Sequence, residues 1–355
     1  MEIEAWQIYE LEDRILVDIR SPEEFKDFHI PGAVNLPLFD DYEKRIIGLL
    51  YRERGLEEAK EAGYKIAGGK VGRFIERFEQ LRRQYKHVVV YCWRGGLRSK
   101  ELCKVLKSYG IDVYRLIGGY RAYRNYILSD MGRILEDRSL LVLTGKTGVG
   151  KTKLIRRLKQ EGFPAVDLEH LAQNRGSVFG KMGMDDKLIS QKMFDALLYE
   201  ELRSLQQKLL ITEDESRCIG RVHLPQAFWD SKEKGTFVEI TADLRTRVKN
   251  IIEEYTAKPG WEMQANLSLE RIRKYLSTAQ YKQAKELLKL GRVEELATLL
   301  MVEYYDKRYR LEKKPSYTID CSDFEGCFEE LKLLYLRLFN EGQTLQNCGK
   351  PFTPY

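Results

Sequence analysis

An apolar run, Leu141-Val142-Leu143-Thr144, breaks into Gly145-Lys146-Thr147-Gly148-Val149-Gly150-Lys151-Thr152 and satisfies G-x-x-x-x-G-K-[ST] in full. Few patterns leave so little choice of surroundings. Glycines let successive backbone N–H groups turn toward one concavity, the following helix adds its positive end, and Lys151 adds a mobile charge. Phosphate is the natural occupant, and the Thr152 hydroxyl would stand where a magnesium ion could take it as a ligand. Residues Arg138 to Thr144 read as a strand and Lys151 to Gln160 as an amphipathic helix, which is the context the pattern requires. A chance glycine turn is the bland alternative. Whether the phosphate belongs to a nucleotide or to another diphosphate stays open at this level.

The position of that loop in 355 residues organises the rest. A P-loop opens its own domain, so the residues upstream must form another, and the chain exceeds what one core usually serves. We expect domains at 1–132 and 133–340, with a polar, weakly ordered tail at 341–355. A hydrophobic content of 43% beside 32% charged residues is an ordinary soluble balance. No apolar run approaches the ~20 residues of a membrane span. The acidic start, Met1 to Trp6, lacks a signal-peptide core, which points to the cytoplasm. A net charge of +6 with 60 Lys and Arg leaves room for a nucleic-acid face. The six cysteines include no C-x-x-C pair, which favours one reactive thiol over a zinc site or a disulfide framework.

In the first domain, Arg14 to Arg20 reads as a buried strand, and Ser21-Pro22 starts a helix. The sequence Lys86-His87-Val88-Val89-Val90-Tyr91-Cys92-Trp93-Arg94-Gly95-Gly96-Leu97-Arg98-Ser99 is a second strand, a loop and a helix start. Cys92 falls at the strand's carboxyl end, where open α/β sheets bind ligands. Loop amides, the helix N-terminus, Arg94 and Arg98 would hold an anion there and favour a nucleophilic thiolate. The structural alternative is a cysteine packed at a strand end, the reading given to Cys103 between Leu102 and Leu106. Residues Phe39 to Arg83 read as a mostly helical insertion broken at Gly63, Gly68-Gly69 and Gly72. Its Lys65, Lys70, Arg73 and Arg77 fit a solvated face and a polyanion contact equally.

In the second domain, Phe163 to Ala172 reads as a strand ending in acids, Asp167 among them. Residues Asn174 to Gly180 form a glycine-bearing loop suited to substrate. Leu209 to Arg217 is a further strand with acids at its end, where Asp214 or Glu215 could hold magnesium through water or stand in solvent. Arginines after Thr236–Ile240, Arg245 and Arg247, could meet phosphate or water. Residues 266 to 312 read as helical, and Tyr304-Tyr305-Asp306-Lys307-Arg308-Tyr309 fits both RNA stacking and an aromatic core stripe. Tyr317–Asp320 reads as the last strand and Phe324 to Phe339 as the last helix.

Asp18-x-Arg20-Ser21-Pro22-x-Glu24-Phe25, then His29-Ile30-Pro31-Gly32-Ala33 and Gly118-Gly119-Tyr120, resemble rhodanese-like domains, small α/β domains with a parallel sheet. Together with the P-loop and Glu213-Asp214-Glu215-Ser216-Arg217, the chain resembles the tRNA 2-selenouridine synthase family from about Val17 to Tyr309. The resemblance implies an α/β protein with an N-terminal rhodanese-like domain and a C-terminal P-loop NTPase-like domain with a parallel sheet. It implies a tRNA partner, whose wobble 2-thiouridine exchanges sulfur for selenium from selenophosphate by way of an S-geranyl intermediate made from geranyl diphosphate; Mg2+ is a candidate cofactor on the separate ground of Thr152 and the strand-end acids. Cys92 is then the catalytic residue of selenation, Arg94, Gly95, Gly96 and Arg98 steady its anion, and Gly145 to Thr152 seat the diphosphate. Two rival readings remain. Cys92 and Arg98 also fit C-x-x-x-x-x-R, a thiolate phosphatase loop fused to a P-loop kinase, and an idle thiol would leave a nucleotide-switched tRNA-binding module.

Overall fold

The computed structural model describes residues 1–174, 189–256 and 259–348. They divide into two compact units, Met1–Asp130 with Ser190–Glu200, and Met131–Ile189 with Glu201–Tyr355.

The first unit runs β1 (Glu2–Ile3), β2 (Arg14–Asp18), α1 (Pro22–Asp27), β3 (Val34–Asn35), α2 (Asp41–Arg54), α3 (Leu56–Gly68), α4 (Val71–Gln84), β4 (His87–Tyr91), α5 (Leu97–Ser108), β5 (Tyr114–Leu116) and α6 (Gly119–Glu136), whose last turns from Met131 belong to the second unit. Its five strands are all parallel, in the order β1-β5-β4-β2-β3. Val88, Val89 and Val90 of the central strand are fully buried, as a strand covered on both faces demands. Ser21 and Glu24 close a capping box at α1, and Pro22 takes the first helical position. The inserted helices α2, α3 and α4 break at Gly55, whose φ is +90°, and around Gly69-Lys70. Gly63 and Gly72 lie inside helices, contrary to the expected breaks, and Gly63 is buried against Phe39.

The second unit runs β6 (Ser139–Thr144), α7 (Lys151–Gln160), β7 (Ala165–Val166), α8 (Leu168–Leu171), α9 (Gln191–Ser204), β8 (Leu209–Glu213), β9 (Cys218–Ile219), β10 (Val222–His223), α10 (Gln226–Glu233), β11 (Thr236–Thr241), α11 (Leu244–Tyr255), α12 (Trp261–Ile272), α13 (Thr278–Lys289), α14 (Val293–Leu300), α15 (Asp306–Arg308), β12 (Tyr317–Asp320) and α16 (Phe324–Cys348). Within that run, Gln191–Glu200 of α9 belongs to the first unit. A parallel sheet in the order β12-β11-β6-β8-β7 puts the P-loop strand at the centre, and β9 and β10 form a separate antiparallel pair. Leu140 to Leu143 are fully buried between α7 and α16 on one side and α10 on the other. A small helical core of α12, α13 and α14 gathers around Leu269, Ile272 and Leu287.

The strand expected at Phe163 to Ala172 is only two residues long, because Asp167 caps α8 instead. The last helix runs to Cys348, nine residues beyond Phe339, so residues 341 to 348 of the expected tail are helical. Residues 175–180 of the expected substrate loop and the tail from 349 onward lie outside the described residues. Among those described, no helix is long and apolar enough to cross a membrane.

Candidate functional site

In the first unit, β4 delivers Cys92 to the carboxyl edge of the sheet. The loop after it is fixed by backbone pairing: Tyr120 N–H donates to the Cys92 carbonyl at 2.9 Å and Arg121 N–H to the Trp93 carbonyl at 3.0 Å. That close approach requires glycine. A Cβ on Gly119, at φ +58°, would lie 2.2 Å from the Cys92 carbonyl oxygen, and one on Gly95, at φ +59°, would lie 2.7 Å from two backbone atoms. The thiol itself is 3% exposed and meets Ser99 Oγ at 3.4 Å. Arg94 is exposed, whereas Arg98 donates to Glu24 at 3.5 Å rather than to the thiol. The arginine required by a C-x-x-x-x-x-R phosphatase is therefore engaged elsewhere.

Trp93 stacks near-parallel on Tyr120 at 5.8 Å and meets Phe28 edge-on at 5.5 Å. Lys192 Nζ sits 4.0 Å from the Phe28 centroid and 4.8 Å from that of Trp93, within cation–π range. Beneath them Arg20 is fully buried, bidentate on Asp18 with a 2.6 Å contact, and packed over Phe28 and Tyr120. Cys103 is half-buried among apolar neighbours, and burial pushes its thiol up to about 11, so it behaves as core.

In the second unit, Gly145, Gly148 and Gly150 adopt φ values of +143°, +84° and +99°, which turns the loop amides inward. Two side chains of α11 hold the loop by its carbonyls. Arg247 Nε donates to Thr147 O at 2.9 Å and Asn250 Nδ2 to Gly148 O at 2.8 Å. Asp306 in turn grips Arg247 through two contacts of 3.0 and 2.6 Å and accepts from Lys146 at 3.3 Å. Lys151 Nζ folds over the loop and donates to Gly145 O at 2.6 Å. Burial pulls its ammonium below the ordinary lysine value, against the opposing pull of Glu215, Glu169, Asp214 and Glu213.

Glu169, Glu213 and Glu215 line a cleft of about 720 Å³ with Lys151, Thr152 and Arg156. Thr152 Oγ1 donates to Glu169 Oε2 at 3.0 Å, and the Glu169 N–H donates to Glu213 Oε1 at 3.0 Å. Burial, then Asp167, pushes the Glu213 carboxyl well above the carboxylate range, and its Oε2 is buried with no hydrogen bond among the described residues. Burial, then Glu169, lifts Glu215 to about 8. The donor set is all oxygen, which suits a hard cation. No group of three or more His, Cys, Asp or Glu among the described residues is arranged as a metal cage. Magnesium needs none where phosphates complete its shell.

The structure thus gathers Thr147, Gly148, Gly150, Lys151, Thr152 and Glu215 around one cleft and engages two other predicted acids elsewhere. Asp167 caps α8 and pairs with Arg156 at 3.1 Å, and Asp214 pairs with buried Lys232 at 2.6 Å. Glu169, Glu213, Arg247, Asn250 and Asp306 were not singled out for these places. Glu169 and Glu213 could have been suspected as acids beside those chosen, whereas nothing local marks Asn250 or Asp306. Tyr304 is buried in the helical core, so this ring of the aromatic run serves packing.

Residues 138–329 match the model of the tRNA 2-selenouridine synthase AAA domain, and residues 3–126 that of the rhodanese-like domain. A tRNA 2-selenouridine synthase of Nitrosomonas europaea is 38% identical over 68% of this chain and 64% of its own. Namesakes from a Sulfurovum species and from Chromohalobacter salexigens are 30% and 32% identical, each over 89% of this chain and 93% of theirs. The chain thus spans under two thirds of the Nitrosomonas relative and nearly all of the other two. With one family model covering more than half of its residues and a rhodanese-like α/β unit preceding that P-loop unit, the chain belongs to the tRNA 2-selenouridine synthase family.

Proposed function

We propose that the chain replaces the sulfur of a wobble 2-thiouridine in tRNA with selenium from selenophosphate, by way of S-geranyl-2-thiouridine made with geranyl diphosphate. One observation supports this above all: in a chain of this family, a thiol ends the central strand of one parallel sheet and a phosphate cradle ends the central strand of another. In the first step the thiocarbonyl sulfur attacks the allylic carbon of geranyl diphosphate, the C–O bond breaks, and pyrophosphate leaves with the electron pair. The inward amides of Gly145 to Gly150 and the Lys151 ammonium take up that charge. Thr152, Glu169 and Glu213 would hold Mg2+, which supplies further neutralisation of the diphosphate.

S-alkylation makes C2 electrophilic and gives it a competent leaving group. Selenium of selenophosphate then forms the C2–Se bond, the C2–S bond breaks to release geranylthiol, and water opens the P–Se bond to free phosphate. Cys92 serves this second step, with Arg94 and the Gly95-Gly96 amides beside it.

The test is mass analysis of tRNA nucleosides after incubating 2-thiouridine tRNA with protein, geranyl diphosphate and selenophosphate. Lys151→Ala should cut the geranylated nucleoside by about 100-fold, the scale of losing one charge-stabilising donor. Cys92→Ser should keep it and lose the selenated one. Selenation that persists in Cys92→Ser, or geranylation indifferent to Lys151, sinks the assignment.

A further inference from the structure

A second cavity, of about 500 Å³, opens in the first unit between the inserted helices α2, α3 and α4 and the start of α5. Its walls are apolar, among them Phe39, Ile47, Leu56 and Ala67, and its charges are confined to a few side chains, Lys44, Lys60, Arg98 and Glu101. Leu56 and Leu97 on its walls are 51% and 44% exposed, a cost that a purely structural groove has no reason to keep. The cavity adjoins the thiol loop. Leu97 and Arg98 open α5 directly after it, and Leu38, Phe74, Leu102 and Leu106 both line the cavity and pack in the same core as Cys92.

The chemistry of such a site selects its ligand. Walls with so few polar groups disfavour a bare nucleobase or phosphate, which would lose hydrogen bonds on entry. A volume between about 300 and 1,000 Å³ takes a small molecule rather than a protein helix. Lys44 and Arg98 share the single carboxylate of Glu24, at 3.4 and 3.5 Å. Two cations on one carboxylate leave positive charge to meet an RNA phosphodiester outside.

We infer that this cavity binds the hydrocarbon chain of an S-alkylated thionucleoside carried on RNA, an acyclic chain on the order of ten carbons. The inference deepens the proposed function and rests on its alkylated intermediate. It assigns the alkyl group to the unit that carries Cys92, and the diphosphate alone to the P-loop cleft.

The experiment is calorimetric titration of the whole protein with anticodon stem-loop RNAs carrying S-methyl-, S-geranyl- or S-farnesyl-2-thiouridine. The geranyl RNA should bind at least about tenfold more tightly than the methyl RNA, since each buried methylene adds to affinity. Ala67→Phe, which fills the cavity, should erase that preference and leave the methyl RNA unaffected. Ile47→Ala, which enlarges it, should shift the preference toward the farnesyl RNA and guards against a misfolded first variant. Equal affinity for methyl and geranyl RNAs would overturn the inference. So would a preference that survives Ala67→Phe in folded protein, or a dimer that Ala67→Phe dissociates without touching the preference, because the groove would then be a contact between two copies. No catalysis enters these titrations, so a retained preference with no selenated or geranylated product would condemn the proposed function and spare the cavity.

Discussion

Glu215 stands in the cleft with a carboxyl lifted from the usual 4.5 to about 8, first by burial and then by Glu169. Below pH 4.5 the folded and unfolded chains both hold that proton. Between about 4.5 and 8 the unfolded chain gives it up while the folded one retains it, so this group makes stability fall as pH rises through the window. We expect Glu215→Gln to flatten that decline, read as thermal midpoints at pH 5, 6, 7 and 8; a slope unchanged by the substitution would show that Glu215 does not hold the proton. Glu215 was legible in the sequence as an acid at a strand end. Asp214 was equally so, and what separates them is Lys232, a buried cation 18 residues away that takes Asp214 out of the cleft. Pairings of that kind depend on the sheet having formed, so no reading of neighbouring residues finds them.

The P-loop and its helix are local structure, set by three glycines and an amphipathic decamer, and here the expected helix, Lys151 to Gln160, coincides with the observed one. The element that braces the loop is distant in sequence. Helix α11 supplies Arg247 and Asn250 to the loop carbonyls, and Asp306, 59 residues after Arg247, secures the arginine. Arg247→Ala should cost on the order of 2 kcal/mol, the scale of charged hydrogen bonds lost at a site where Asp306 retains some solvent. Chemical denaturation measures that loss, and titration with inorganic pyrophosphate should show weaker binding. A variant with normal stability and unchanged pyrophosphate affinity would mean the loop holds its shape unaided. The sequence offered Arg247 as a phosphate contact because a basic residue in a first helical turn suits an anion. The structure buries this residue at 4% exposure and commits its guanidinium to the Thr147 carbonyl and Asp306. In the insertion, Gly63 misled for a related reason, since glycine inside a helix also marks close packing, here against Phe39; Gly72 is an exposed helical residue with open space around it.

At the scale of the molecule, the order of the units was legible, because two strand–loop–helix motifs each announce a parallel sheet. The composition of the first unit was not. It is completed by Ser190–Glu200, which a linear boundary assigns to the other domain. In that segment Asp195 pairs with Arg124 at 2.6 Å, Tyr199 donates to Asp130 at 2.7 Å, Glu200 accepts from Tyr9 at 2.6 Å, and Lys192 reaches the ring beside Cys92. Their partners lie along α6 and at both ends of the unit's sequence, so hydrophobic periodicity carries no sign of them. A fragment of residues 1–130 should be measurably less stable than the same unit in the whole chain, and a synthetic peptide of residues 190–200 should restore part of the loss. Equal denaturation midpoints with and without the peptide would show the segment to be dispensable. The arrangement also bears on birth at the ribosome. Synthesis proceeds at roughly 5 to 20 residues per second, and about 60 residues separate Asp130 from Ser190, so the nascent N-terminal unit waits several seconds for its last piece. During that interval Asp130, Tyr9 and the tryptophan next to the thiol lack their partners from Ser190–Glu200, and the Cys92 sulfur acquires its finished surroundings only after the P-loop has already been translated.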